Sequence, residues 1–407
     1  MSTFDTPIHL TAGGVILASL MLQRAARFLG QSQVVGEILA GLVVGIALNS
    51  FGEALGGTPG ELARSTAVAL DDLGTVGLVF VVLNALFLAP PTSKASDKST
   101  DLRAVLVVVL ANFLPALLAG GWLATRYVSA HALSATPAFV LLVGAAMSIS
   151  AVPVLARILV ELDLATSRVG GLAFRAACWT DVLGWMLVGL ALSLHQGKDA
   201  GYFAATRVSL VVAIFAAMWI VRRLIDWYRP SSTTSNQIVL VNLLFAAGLT
   251  HLASLHLVFG AFLVGSVFSA NNSIREQWLQ NTGWITDRFF CPLFFAIAGM
   301  KLLSSGGVSA QELGWGAAFL LACILTKLVP LNIAGRYLGL SSSESALLGL
   351  TLNTRGLMEL VILSVGLNAG ILSPVQCSIF VIVAVVTTVM STPLCRLVQR
   401  RLDPVLA

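Results

Sequence analysis

Charge is what this sequence has least of. Asp, Glu, Lys and Arg make up 11% of its 407 residues, where a soluble globular domain carries roughly 25%. Long polar stretches are scarce too. The longest are PPTSKASDKSTD (90–101) and RRLIDWYRPSSTTSNQ (222–237), whose Pro and Ser punctuation marks loops, so no soluble domain is expected. The five cysteines (Cys178, Cys291, Cys323, Cys377, Cys395) show no CxxC or metal-ligand spacing, which argues against disulfides and zinc. No nucleophile–base set, phosphate loop or metal cluster appears, so neither an enzyme nor a bound cofactor is expected. No basic segment precedes the first apolar run, and no removable signal peptide is read. The net charge of +5 is scattered through short connections rather than gathered on a face, which argues against nucleic acid as a partner.

What is present is apolar: 57% of residues are hydrophobic and the mean hydropathy is +0.90. A transmembrane helix needs about 20 such residues. Thirteen spans are predicted, near 8–28, 33–51, 66–89, 103–125, 136–157, 169–194, 204–224, 237–254, 256–272, 285–303, 313–338, 343–368 and 374–397. The fold class expected is therefore an all-α polytopic membrane protein, one transmembrane domain over 1–407 whose partner is the lipid bilayer. An odd number of spans puts the termini on opposite sides. With the C-terminus cytoplasmic, about sixteen Lys/Arg lie in or beside inner connections and about five outside. The inner set includes Arg24, Arg27, Lys94, Lys98, Arg222, Arg223, Arg229, Arg396, Arg400 and Arg401; the outer set is Arg64, Arg126, Lys198, Arg207 and Lys301. The N-terminus is thus expected outside. Short loops and the lack of a targeting segment favour a bacterial inner membrane.

Against this background the charges inside spans stand out. Asp181 lies about twelve residues, or roughly 18 Å, into the sixth span. A carboxylate at the bilayer centre costs about 2.5–3.5 kcal/mol even on the insertion scale. Lys327 and Arg355 are placed at similar depth in later spans. Opposite charges near one plane point to ion transport, with Asp181 holding a proton or, transiently, a monovalent metal cation.

Two spans carry interruptions. The fifth contains Ser148-Ile149-Ser150-Ala151-Val152-Pro153 and the twelfth Asn353-Thr354-Arg355-Gly356. Pro removes a backbone donor and Gly weakens a helix by about 1 kcal/mol. Paired breaks at mid-membrane mark transporter binding sites, and spans separated by an odd number run in opposite directions, as an inverted repeat requires. Ser148, Ser150 and Asn353 could offer oxygen ligands or only bond the backbone. Lys327 has two readings: pairing with Asp181 when the site is empty, or neutralising the partial charges of the broken ends. Arg355 and Glu359 are four apart and can pair locally, with Arg355 neutralising exposed carbonyls. Glu37 reads as a gate or packing acid near the cytoplasmic end, and Arg175 as a headgroup contact. His256, at a span junction, is too isolated to argue as a ligand.

At these residues the chain resembles the monovalent cation:proton antiporter-2 family, the Kef-type and plant cation/proton exchangers. VVGEILAGLVVG (34–45) is similar to its opening motif, with Glu37 on the acidic position. SISAVPVLARILVELDLATSRVGGLAFRAACWTD (148–181), HLVFGAFLVGSVF (256–268), LFFAIAGM (293–300) and LNTRGLMELVILSVGL (352–367) follow in order. The resemblance implies a sodium/proton antiporter fold with two broken, crossed helices. It implies a homodimer with core helices around 103–194 and 285–370 and an interface panel from the rest. Asp181 would bind cation and proton in turn, and Lys327 and Arg355 would match basic residues at and before the second break.

Three departures qualify it. Thr180 stands where Asp or Asn usually precedes the key Asp, so the simplest exchange is one cation for one proton. Asn84-Ala85-Leu86-Phe87 replaces a Gly-Leu-Glu motif, and the regulatory domain that Kef-type members often carry is not expected. The leading function is exchange of Na⁺ or K⁺ for protons. A proton- or sodium-coupled carrier of an organic solute or antibiotic, and a non-transporting sensor with the same fold, are the alternatives.

Overall fold

A computed structural model of the chain describes residues 8–54, 61–88, 98–131, 135–165, 167–197, 201, 204–228, 232–252, 257–269, 271–302 and 309–400. Lys94, Lys198, Arg229, His256, Arg401 and most of the polar stretch 90–101 lie outside them.

Among the described residues the regular structure is all helical. Backbone in hydrocarbon must bond within its own segment, and an apolar chain meets that demand as helices. In order these are α1 (Ile8–Phe28), α2 (Gln33–Ala54), α3 (Glu61–Leu88), α4 (Lys98–Ala130), α5 (Pro137–Ser148), α6 (Val152–Glu161), α7 (Arg168–His195) and, after a π-helical turn at Ala204–Val208, α8 (Ser209–Tyr228). There follow α9 (Ser232–Leu252), α10 (Leu257–Phe268), α11 (Asn272–Ile285), a π-helical turn at Thr286–Phe290, and α12 (Cys291–Leu302). The chain continues through α13 (Ala310–Tyr337), α14 (Ser342–Leu352), α15 (Leu357–Asn368) and α16 (Pro374–Gln399). Among the described residues, five stretches are long and apolar enough to cross a membrane: Leu102–Ala130, Arg168–His195, Thr234–Leu252, Ala310–Tyr337 and Pro374–Gln399.

Among the described residues the apolar segments fall on helix, apart from the two breaks at 149–151 and 353–356. The helix expected at 285–303 starts earlier, as α11. That segment, NSIREQWLQNTGWI, is too polar for a hydropathy reading, yet Asn271 caps it by accepting from the Ile274 N–H, and Ile274 and Trp278 bury its inner face. Elsewhere the starts are chemically marked. Thr136 caps α5, Ser167 caps α7, and Ser341–Glu344 and Ser373–Gln376 form capping boxes on α14 and α16.

Two groups of helices result. In one, α2 packs on α1 and α12, while α3 packs on α12 and α10, and α10 on α9. Glycine makes the tightest of these approaches: a Cβ on Gly41 would run into the Ala296 backbone, and one on Gly260 into Ala246. In the other, α4–α7 pack with α13–α16. Its two halves repeat one pattern, a long helix, a helix in two pieces, and a long helix. On α13, Leu321, Leu325, Val329 and Ile333 are exposed on a four-residue spacing, the stripe a lipid-facing helix presents. The opposite stripe, Cys323, Lys327 and Leu331, is buried. Lys327 therefore points inward, at the breaks.

Candidate functional site

The site begins where two helices stop. After Ser148 the chain runs extended through Ile149 (φ −67°, ψ 146°) to Ala151 (φ −68°, ψ 96°) before α6 begins. Pro153 occupies the first turn of α6, where its missing N–H costs nothing. The second interruption, 353–356, separates α14 from α15. The two meet: Ala151 N–H donates to Thr354 O (3.3 Å), and the Ser150 hydroxyl donates to Leu352 O (2.6 Å). Helix ends in an apolar interior would leave backbone groups unpaired, and the breaks supply part of each other's partners.

Cations supply more. The three N–H donors of the Lys327 ammonium are shared among Ser148 O (3.1 Å), Ile149 O (3.0 Å), Ser150 Oγ (2.8 Å) and Leu352 O (3.2 Å). Arg355 donates to Ala146 O at 2.8 Å and to Met147 O, and pairs with Glu359 Oε1 at 3.2 Å. Both side chains thus neutralise the negative end of α5, while the Thr388 hydroxyl donates to Arg355 O. Of the two readings of Lys327, this arrangement has the carbonyl-neutralising one. No ion pair joins Lys327 to Asp181 among the described residues.

Asp181 lies beside the same strip. Its carboxylate lies close to the backbone of Val152, at the positive start of α6, and its Oδ1 is buried without a partner. Gly184, one turn on, lets α7 lie against Ile149, since a Cβ there would overlap the isoleucine side chain. Thr180 donates to Ala177 O (3.0 Å) and Ser148 to Gly144 O (2.7 Å), each within its own helix. Ser148 thus reaches Lys327 through its carbonyl, not its hydroxyl. Asn353 sits in the second break with both amide atoms buried and unpartnered.

Two further residues belong here that sequence reasoning did not single out. Asn112 of α4 is buried and donates to Ser150 Oγ (3.1 Å) and Thr180 Oγ1 (3.5 Å). Its only signal was an amide in an apolar run. Arg157 of α6 holds Glu37 of α2 through both oxygens, at 2.8 and 2.9 Å, and Gln23 of α1 adds a third bond at 2.6 Å. Beside this cluster is a cavity of about 320 Å³, lined by Gln23, Arg24, Arg157, Glu161 and Asp287 among others. Arg175 donates back to Gly171 O (3.1 Å) on its own helix. Asn84, at the departure in α3, accepts from Trp278 Nε1 (2.7 Å) and Thr282 Oγ1 (3.3 Å).

Residues 15–397 match the family described as "Sodium/hydrogen exchanger, transmembrane". The chain belongs to the sodium/hydrogen exchanger family. It is a multi-pass membrane protein of a transporter family, not an enzyme. This exchanger is 30% identical over 398 residues to the Na(+)/H(+) antiporter NhaS4 of Synechocystis, with 93% of each chain covered. It is 29% identical over 391 residues to Cation/H(+) antiporter 17 of Arabidopsis thaliana, covering 93% of this chain and 47% of that protein. The K(+)/H(+) antiporter 1 of Saccharomyces cerevisiae is 25% identical over 406 residues, with 94% and 45% covered. The exchanger thus spans about half the length of the plant and yeast relatives and nearly all of NhaS4. The structure of the sodium proton antiporter MjNhaP1 from Methanocaldococcus jannaschii superimposes with a TM-score of 0.67 at 14% identity, covering 96% of this chain and 99% of that one. At that identity the likeness concerns the fold, an inverted repeat with two crossed, broken helices.

Proposed function

We propose that this exchanger is a secondary antiporter in which Asp181 carries a proton in one direction and Na⁺ or K⁺ in the other. One observation carries the reading: Asp181 Oδ1 is a buried carboxylate oxygen with no partner, set against the start of a half-helix. Uncompensated charge of that kind calls for a ligand, and a proton and an alkali cation are the two that a lone carboxylate can take in turn. Exchange follows, because each ligand must leave before the other binds. The names of NhaS4 and of the yeast and plant relatives support the same reaction class.

Thr180, Ser150 and Ser148 supply neutral oxygens around the site, and Lys327, Arg355 and Glu359 hold the broken ends in place. With Thr180 beside Asp181 in place of a second acid, one cation leaves for each proton and no net charge moves. The moving core comprises α4–α7 and α13–α16, and the remaining helices form the panel of a homodimer. We group α12 with the panel and α16 with the core because of the helices each packs on, where the resemblance implied core helices around 103–194 and 285–370. Glu37 and Arg157 bridge panel and core and act as a gate on the cytoplasmic side. The chain lies in a bacterial inner membrane with its N-terminus outside.

The experiment is reconstituted flux. Proteoliposomes with an imposed pH gradient should show uptake of Na⁺, K⁺ or Li⁺ with dissipation of the gradient, and Asp181→Asn should show neither. Exchange by Asp181→Asn at the wild-type rate would remove the carboxylate from the mechanism.

A further inference from the structure

Pro115 lies inside α4 and Pro330 inside α13, the long helices that open the two halves of the repeat. Three residues before each proline stand Asn112 and Lys327, in the runs Asn-Phe-Leu-Pro and Lys-Leu-Val-Pro. The two side chains converge on one atom: Lys327 Nζ reaches Ser150 Oγ at 2.8 Å and Asn112 Nδ2 reaches it at 3.1 Å. Asn112 is the first repeat's counterpart of the lysine, with an amide where the second repeat has an ammonium.

The orientation of that amide is fixed by its neighbours. Ser150 directs its proton to Leu352 O and Thr180 directs its proton to Ala177 O. Both hydroxyls can therefore only accept from Asn112, so the NH₂ group faces them and the carbonyl oxygen faces away. That oxygen, Oδ1, is buried and without a partner, on a residue with no exposed surface. Asn112 reaches both Ser150 of the first break and Thr180, the residue before Asp181 on α7. Two oxygens, one charged and one neutral, are thus left open in one buried layer. A partly dehydrated alkali cation needs several oxygens, and Asp181 alone offers two.

Resting on the assignment of Asp181 as the exchanging carboxylate, we infer that Asn112 is a direct ligand of the transported cation. Its amide oxygen completes the coordination shell and sets the preference among alkali ions, while its NH₂ group ties that oxygen to Ser150 and Thr180. Because the ligand is neutral, it binds the cation without adding a second proton to the cycle. The charge balance of transport is then set at position 112 as well as at Thr180.

The test is flux in proteoliposomes with wild type, Asn112→Ala and Asn112→Asp, each checked for a single sharp elution peak before reconstitution. Asn112→Ala is expected to raise the KM for its best cation by about tenfold, equivalent to about 1.4 kcal/mol. The maximal rate should hold within about twofold, and the order of Na⁺, K⁺ and Li⁺ should change. Asn112→Asp, nearly isosteric, is expected to turn electrically silent exchange into exchange that carries current. A KM and ion order unchanged in Asn112→Ala, or exchange that stays silent in Asn112→Asp, overturns the inference. Should Asn112→Ala not fold, Asn112→Asp decides alone by the same criterion. A wild type that exchanges no cation at all would instead remove the Asp181 assignment beneath it.

Discussion

Arg157 on α6 grips both carboxylate oxygens of Glu37 on α2, at 2.8 and 2.9 Å, with Glu37 wholly buried. The pair joins the two helix groups, so any displacement of one against the other has to break or carry it. Removing one partner leaves the other charge buried and unpaired, at a cost of about 3–5 kcal/mol. Glu161 and Asp287 also act on Arg157, which puts the loss at the lower end. Glu37→Gln should therefore lower the apparent Tm in detergent by several degrees. Glu37→Met combined with Arg157→Met should recover part of it. Equal melting of Glu37→Gln and wild type would show the pair to be stabilising nothing.

In Lys327→Met the Ser148 and Ile149 carbonyls lose the ammonium as donor, while Ser150 Oγ keeps Asn112 and Leu352 O keeps Ser150. Buried acceptors without partners cost about 1–3 kcal/mol each, so this variant is expected to express poorly or melt early. Lys327→Gln keeps NH₂ donors at a similar reach and should fold, with exchange retained per folded molecule. If Lys327→Gln melts like wild type but transports nothing, the lysine takes part in the cycle itself.

Competition at one carboxylate fixes the sign of the pH dependence. A proton bound at Asp181 excludes the cation, so lowering the pH weakens cation binding and raising it strengthens it. In the range where the site is mostly protonated, the apparent KM should rise about tenfold for each unit of pH lost. Above that range it should level off. Flux assays at a series of symmetrical pH values give the curve. A KM independent of pH throughout would mean that proton and cation use different sites.

Much of this architecture was legible in the residues because a membrane removes alternatives. Apolar runs had to be helices, and Pro153 and Gly356 with their small polar neighbours fell where the helices part. The buried charges Asp181, Lys327 and Arg355 were visible because charge in a span is costly. What the sequence did not convey was pairing across the chain. Glu37 read as a solitary acid because Arg157 lies 120 residues away, and the bond depends on how α2 meets α6. Lys327 read equally as a partner of Asp181, since distance along the chain cannot tell that its ammonium ends among the carbonyls of the two breaks. Asn112 passed unnoticed because a single amide in an apolar helix carries no charge to draw attention. Helix α11 escaped because its polar face outweighs Ile274 and Trp278 in any hydropathy window.

The most direct measurement of the central claim is proton release from purified protein. Wild type in weakly buffered detergent solution receives NaCl, KCl or LiCl, with choline chloride as the control, and the pH is followed. The expected result is release approaching about one proton per chain with at least one alkali salt, none with choline, and none from Asp181→Asn with any salt. Release from Asp181→Asn equal to that of wild type, or no release from wild type with any alkali salt, would contradict the exchange of proton for cation at Asp181.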